Sequence, residues 1–193
     1  MEIAVILITA YFIGSIPFSW IVARIKKVDL SSVGSGNIGS TNVFRALGPA
    51  YGGLAFFLDF AKGLSATYLA IYLNMDPLIV ILASLFSVLG HTFSPFLKFK
   101  GGKGVATGLG ALCAFAPLIF VIMAIYSAAM ILITRYVSLT SVSGVIIASV
   151  LMFAFGQPLP YAVGTSLAAV YITIKHIPNI KRLLAGTESK IKL

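Results

Sequence analysis

Lys98-Phe99-Lys100-Gly101-Gly102-Lys103-Gly104-Val105-Ala106-Thr107 lies between two apolar segments, and how it is read decides the fold. Glycines let backbone N–H groups turn toward one point, and a helix opening just after them adds its positive dipole end. The lysines supply mobile point charges for a phosphate. A soluble nucleotide-binding loop fits poorly: the G-x-x-x-x-G-K-[ST] spacing is absent, and Gly104 rather than Ser or Thr follows Lys103. The stretch is therefore either a basic loop reaching lipid headgroups or an anion-binding loop at a membrane face.

Composition puts it at a membrane. Of 193 residues, 59% are hydrophobic and 10% charged, and mean hydropathy is +1.04, more apolar surface than a soluble domain of this size requires. The apolar runs are continuous and lack period-two alternation, so the expected fold is all-α, a polytopic helical membrane protein rather than a barrel. The net charge of +9 comes from 14 Lys and Arg against five acids, which in a membrane protein reports orientation and anionic headgroups, not nucleic acid. Cys113 is the single cysteine, and the acids Glu2, Asp29, Asp59, Asp76 and Glu188 are scattered. No disulfide framework, metal centre or cofactor is expected.

In chain order, residues 3–23 are long enough to span, interrupted by Gly14-Ser15-Ile16-Pro17, where proline frees a carbonyl and bends the helix. Arg24, Lys26 and Lys27 follow this span, which argues against a cleavable signal peptide and places the N-terminus outside. Residues 31–47 form a polar segment rich in Gly, Ser, Asn and Thr. Residues 51–73 span outward and carry Asp59 and Lys62, three apart on one helical face and able to pair. Such a pair inside a bundle either ties helices together or orients a site. Residues 78–96 return and end near His91, read as a hydrogen-bonded helix-end histidine. Residues 105–134 are too long for one span and break at Ala116-Pro117. Residues 135–141 read as a loop whose Ser138 caps the next helix, residues 142–155 and 161–174 as two further spans, and the basic tail from Lys175 as lying along the inner surface. This gives about seven transmembrane helices (alternatively five spans plus short or re-entrant helices) in a single domain, 1–193, with the C-terminus cytoplasmic. All but Lys62 of the 14 basic residues then fall on one side.

Four inner segments supply cations, hydroxyls, amides and glycine but few acids: Ser35 to Arg45, Lys98 to Thr107, Arg135 to Ser141, and His176 to Arg182. A small organic phosphate fits this chemistry, since arginine binds it bidentately and lysine neutralises the rest.

These residues carry a resemblance along essentially the whole chain. Gly14-Ser15-Ile16-Pro17, Gly34-Ser35-Gly36-Asn37-Ile38-Gly39 with Thr41-Asn42 and Arg45, Asp59 through Lys62-Gly63, Gly90-His91 through Ala106, Arg135-Tyr136-Val137-Ser138 with Ser141, and His176 with Asn179 and Arg182 occur in this order. The chain resembles the bacterial integral-membrane acyl-phosphate:glycerol-3-phosphate acyltransferases. The resemblance implies transfer of a fatty acyl group from a long-chain acyl phosphate to the 1-hydroxyl of glycerol 3-phosphate. The products would be 1-acyl-glycerol 3-phosphate and phosphate, the first acylation of bacterial phospholipid synthesis. It also implies an inner-membrane enzyme among membrane lipids, with its active site facing the cytoplasm.

Ser35, Lys103 and His176 are the catalytic candidates. Gly36, Asn37, Thr41, Asn42, Arg45, Gly101, Gly102, Gly104, Ser141, Asn179 and Arg182 are the substrate-binding candidates. A His-x-x-x-x-Asp pair is absent, because Phe96 stands five residues after His91 and Lys181 five after His176. The proton acceptor is then His176 or a substrate phosphate oxygen. A transporter of a small anionic phosphate solute is the competing class, which should instead show broken helices meeting at mid-membrane and repeat symmetry.

Overall fold

Proline sets where several helices stop and start. Pro17 cannot continue the hydrogen-bond ladder, so the first apolar stretch is two helices, α1 (Glu2–Ser15) and α2 (Phe18–Ile25). The computed structural model describes residues 2–191, and all regular structure among them is helical. α3 (Ser40–Leu47), α4 (Pro49–Tyr72) and α5 (Pro77–Thr92) follow, then a 3₁₀ turn at Pro95–Leu97. α6 (Val105–Phe115), α7 (Pro117–Thr134), α8 (Val137–Ala154), α9 (Leu159–Lys175) and α10 (Ile177–Leu184) complete the described chain. Pro49, Pro77 and Pro117 sit in first turns, where a missing N–H is no loss.

Among the described residues, five stretches are long and apolar enough to cross a membrane: Glu2–Ile25, Pro49–Tyr72, Pro77–Leu97, Pro117–Thr134 and Val137–Ala154. The expected break at Ala116-Pro117 is present. It leaves α6 with 11 residues, about 17 Å at the helical rise and short of a hydrocarbon core of ~30 Å.

The chain divides into two compact units at the Phe115–Ala116 bond. In the first, α1 packs on α5 and α4 on α6. Both crossings are close because they are lined by glycine. A Cβ on Gly14 or Gly90 would overlap the Ser87 or Tyr11 carbonyl, and one on Gly63 or Gly110 would overlap that of Thr107 or Phe60. Val22, Ala23, Leu30, Val43 and Ala55 form a separate apolar cluster that anchors the polar segment between α2 and α3.

The expected Asp59–Lys62 pair forms at 2.8 Å, with both side chains almost fully buried. Lys62 Nζ also donates to the Ile16 carbonyl at 2.7 Å, and Ser19 Oγ donates to Asp59 Oδ2 at 2.5 Å. Ser94 Oγ donates to the Ser15 carbonyl at 2.6 Å. The carbonyls at the Pro17 break thus find donors inside the protein, which a lipid-facing backbone requires. Of the two sequence readings for this pair, the helix tie is directly visible.

In the second unit, α8 pairs with both α7 and α9. Tyr126 OH donates to Ser143 Oγ at 2.7 Å, and Ser149 and Ser166 hydroxyls meet at 2.7 Å. The loop expected over residues 135–141 is shorter, because α8 begins at Val137. Its hydroxyls bond back along the helix, Thr140 to the Tyr136 carbonyl and Ser141 to that of Val137, and so satisfy themselves without leaving it. Ser138 is not a cap: its hydroxyl donates to Glu188.

Lys62→Met removes the donor to Ile16 and leaves the Asp59 charge unpaired. The expected cost is about 3–5 kcal/mol, read as a lowered unfolding midpoint in detergent, and Asp59→Leu in the same chain recovers part of it.

Candidate active site

Asn42 organises the first polar segment. From the first turn of α3 its amide donates to the Leu30 and Val33 carbonyls at 2.9 and 3.0 Å, and its Oδ1 accepts from the Ser35 N–H at 3.0 Å. Asn42 therefore shapes the turn that displays Ser35, which is exposed, as is Gly36. The short helix α3 went unread in the sequence. It opens at Ser40 behind Gly39, with half-buried Asn37 just before it, Thr41 in its first turn and half-buried Arg45 in its last.

The glycine stretch is folded back on the end of α5. Gly101 N–H donates to the Thr92 carbonyl at 2.8 Å. Gly104, at φ +84°, takes the left-handed turn that opens α6 at Val105, so the expected glycine-to-helix junction is present. Gly102 is wedged: a Cβ there would sit 2.6 Å from the Ile38 carbonyl oxygen and run into His91 Nε2. The two polar segments of the first unit therefore meet at Gly102, and half-buried Lys103 follows directly.

In the second unit, His176 ends α9, with Nδ1 2.8 Å from the Ile172 carbonyl. A carbonyl only accepts, so Nδ1 carries a proton. Asn179 is buried in α10, and half-buried Arg182 lies in its last turn. Asn179 Nδ2 donates to Glu188 Oε1 and Arg182 Nε to Glu188 Oε2, both at 2.7 Å, while Ser138 Oγ reaches Glu188 Oε1 at 2.8 Å. One carboxylate thus fixes two of the binding candidates, Asn179 and Arg182. The tail beyond it is strapped down by Ile191 N–H to the Arg135 carbonyl at 2.9 Å, with Lys190 Nζ 5.3 Å from the Tyr136 ring centroid. Glu188 was not among the residues the sequence singled out. The available signal was its solitude, since no other acid follows Asp76.

Burial raises the Glu188 carboxyl, but the hydrogen bonds from Asn179, Ser138 and Arg182 outweigh it and hold the group below its usual value. Among the described residues no group of three or more His, Cys, Asp or Glu could hold a metal ion.

A family model described as glycerol-3-phosphate acyltransferase matches residues 4–186. The chain belongs to that family. A glycerol-3-phosphate acyltransferase of Aquifex aeolicus is 41% identical over 191 residues, covering 98% of this chain and 100% of that one. One from Bacillus subtilis is 40% identical, covering 100% and 99%. A crystal structure of PlsY (YgiH), an integral membrane glycerol 3-phosphate acyltransferase in its glycerol 3-phosphate form, superposes with a TM-score of 0.96 at 40% identity, covering 100% of this chain and 96% of that one. The lysophosphatidic acid form gives 0.92 at the same identity, covering 98% and 95%. Family membership makes this an integral membrane protein, and an all-helical one.

Because the Glu188 value is lowered on folding, the stabilisation it brings is complete above the ordinary glutamate value and lost as the pH falls through the lowered one. Amide-exchange protection over residues 187–191 should be high at neutral pH and fall on acidification, whereas Glu188→Ala should show low protection at both.

Proposed function

We propose that the protein is an acyltransferase that moves a fatty acyl group from a long-chain acyl phosphate to the 1-hydroxyl of glycerol 3-phosphate, giving 1-acyl-glycerol 3-phosphate and inorganic phosphate. What carries the reading is the whole-length match to glycerol-3-phosphate acyltransferases, one of them solved in glycerol 3-phosphate and lysophosphatidic acid forms. A transporter of an anionic solute finds no support among these relatives. The chain acts as one catalytic domain in the bacterial inner membrane, within membrane lipids that hold the acyl donor. Its N-terminus lies outside and its catalytic face meets the cytoplasm. Seven spans follow if α6 and α9 also cross.

Acyl phosphate is a mixed anhydride with a good leaving group, so the protein's task is to position two anions and neutralise their charge. Arg45 and Lys103 hold the phosphates, with the backbone N–H groups of Gly102 and Gly104 and the polar groups of Ser35, Asn37, Thr41, Asn179 and Arg182 assisting. Gly36, Gly101 and Ser141 contribute to the shape of the site, because their donors are spent on the Val33, Thr92 and Val137 carbonyls. Asn42 contributes by shaping the turn that carries Ser35. The 1-hydroxyl oxygen attacks the acyl carbonyl, the bond from the acyl carbon to the phosphate oxygen breaks, and the hydroxyl proton ends on phosphate. As the neutral Nδ1–H tautomer, His176 is suited to orient the 1-hydroxyl through its ring edge. The partner of its Nδ1–H is a backbone carbonyl rather than an acid, which favours a substrate phosphate oxygen as the proton acceptor.

Purified protein in detergent, supplied with palmitoyl phosphate and glycerol 3-phosphate, should release phosphate only when both are present; no release sinks the reading. His176→Gln should lower kcat by less than ~100-fold, and a loss of many orders with KM intact would make the histidine the base.

A further inference from the structure

The ionised cluster inside the first unit has a neighbour that the reaction leaves unused. His91 lies in the last turn of α5, buried, with Nδ1 3.7 Å from Asp59 Oδ1, so that the ring edge faces the carboxylate just beyond hydrogen-bond range. Asp59 is itself held by Ser19 and Lys62, and Lys62 by the Ile16 carbonyl. On its far side the ring is closed off by glycine. A Cβ on Gly102 would strike His91 Nε2, and one on Gly101 would strike the His91 carbonyl oxygen. The Gly101 N–H is taken by the next carbonyl, that of Thr92. The glycine pair is thus laid directly over the end of α5, with the imidazole as its floor and the Ile38 carbonyl as its opposite wall.

We propose that His91 is a positioning residue for the glycine stretch, oriented by Asp59, and that the buried charge cluster fixes where the backbone N–H groups of residues 102–104 stand. The assignment rests on reading that stretch as the phosphate-binding element. His91 does not reach substrate through Nε2, because Gly102 covers it. It acts through the loop it supports. This gives the buried charges a second use besides the tie at Pro17, since ionised side chains among spanning helices are costly and are kept where they hold something in place. The backbone N–H groups of a phosphate loop act only when held at the right point. A flat ring of fixed volume, with one nitrogen toward a carboxylate and the other under a bare Cα, does this better than a flexible side chain.

The test is a kinetic cycle on the whole protein in detergent. His91→Ala should raise the KM for glycerol 3-phosphate or for acyl phosphate at least ~10-fold with kcat within about threefold, His91→Gln should restore most of it, and Asp59→Asn should move KM the same way. Because Gly102→Ala collides with the ring, its effect should be smaller in the His91→Ala background, so that the double variant loses at least ~5-fold less than the product of the singles. Independent effects, with losses confined to kcat or to the amount of folded protein in His91→Gln as well as His91→Ala, would overturn the proposal. Strong coupling with both KM values unchanged would keep the link between His91 and Gly102 and discard the phosphate-binding reading of the loop.

Discussion

The first unit depends on one ammonium group. Breaking α1 from α2 at Pro17 strands backbone carbonyls in a segment apolar enough to face lipid, where no water can satisfy them. Lys62 reaches the Ile16 carbonyl, and the Ser94 hydroxyl reaches that of Ser15. A buried lysine is tolerable only with a counter-charge, and Asp59, one helical turn away, supplies it. Bringing in Ser94 also ties the end of α5 to the break, and Tyr11 OH reinforces the tie by donating to the Phe93 carbonyl at 2.6 Å. The glycine stretch starts a few residues later. A proline near the start of the chain and the loop near residue 100 are therefore parts of one arrangement.

This explains what was legible in the sequence and what was not. Asp59 and Lys62 stand three apart, so helical periodicity alone pairs them. Pro17 and Pro117 announce their breaks because proline always lacks the donor. The approach of His91 to Asp59 joins two different helices, and no spacing rule reaches it. The start of α8 was misplaced because serine and threonine suit both a loop and a helix, and only the neighbouring carbonyls decide. Among the site residues, Asn42 was singled out for its amide, yet that amide is spent on the backbone of its own turn. What the structure shows of Asn42 is its hold on that turn.

The two units fix their candidate binding groups in different ways. In the first, what is fixed is mainly backbone: a glycine stretch opening α6, and the turn before α3, both set by close contacts that leave no room for side chains. In the second, they are side chains oriented by a carboxylate, with Glu188 holding Asn179 and Arg182 at once. Backbone sites gain rigidity from packing, so their sensitivity lies in small-to-large changes. Side-chain sites gain it from hydrogen bonds, so theirs lies in pH and charge.

The scarcity of acids follows from the same chemistry. A reaction between two phosphorylated substrates brings several negative charges together, and each nearby carboxylate would add repulsion unless fully engaged. Glu188 meets that condition, with donors from three side chains. Asp59 meets it by lying buried against Lys62 and Ser19. The proposed acyl phosphate donor already carries a good leaving group, so little is gained from an acid–base pair that would cost charge neutrality. The protein's excess of +9 then suits the proposed site for two anions at an anionic membrane surface, with its two most buried carboxylates kept for orienting other groups.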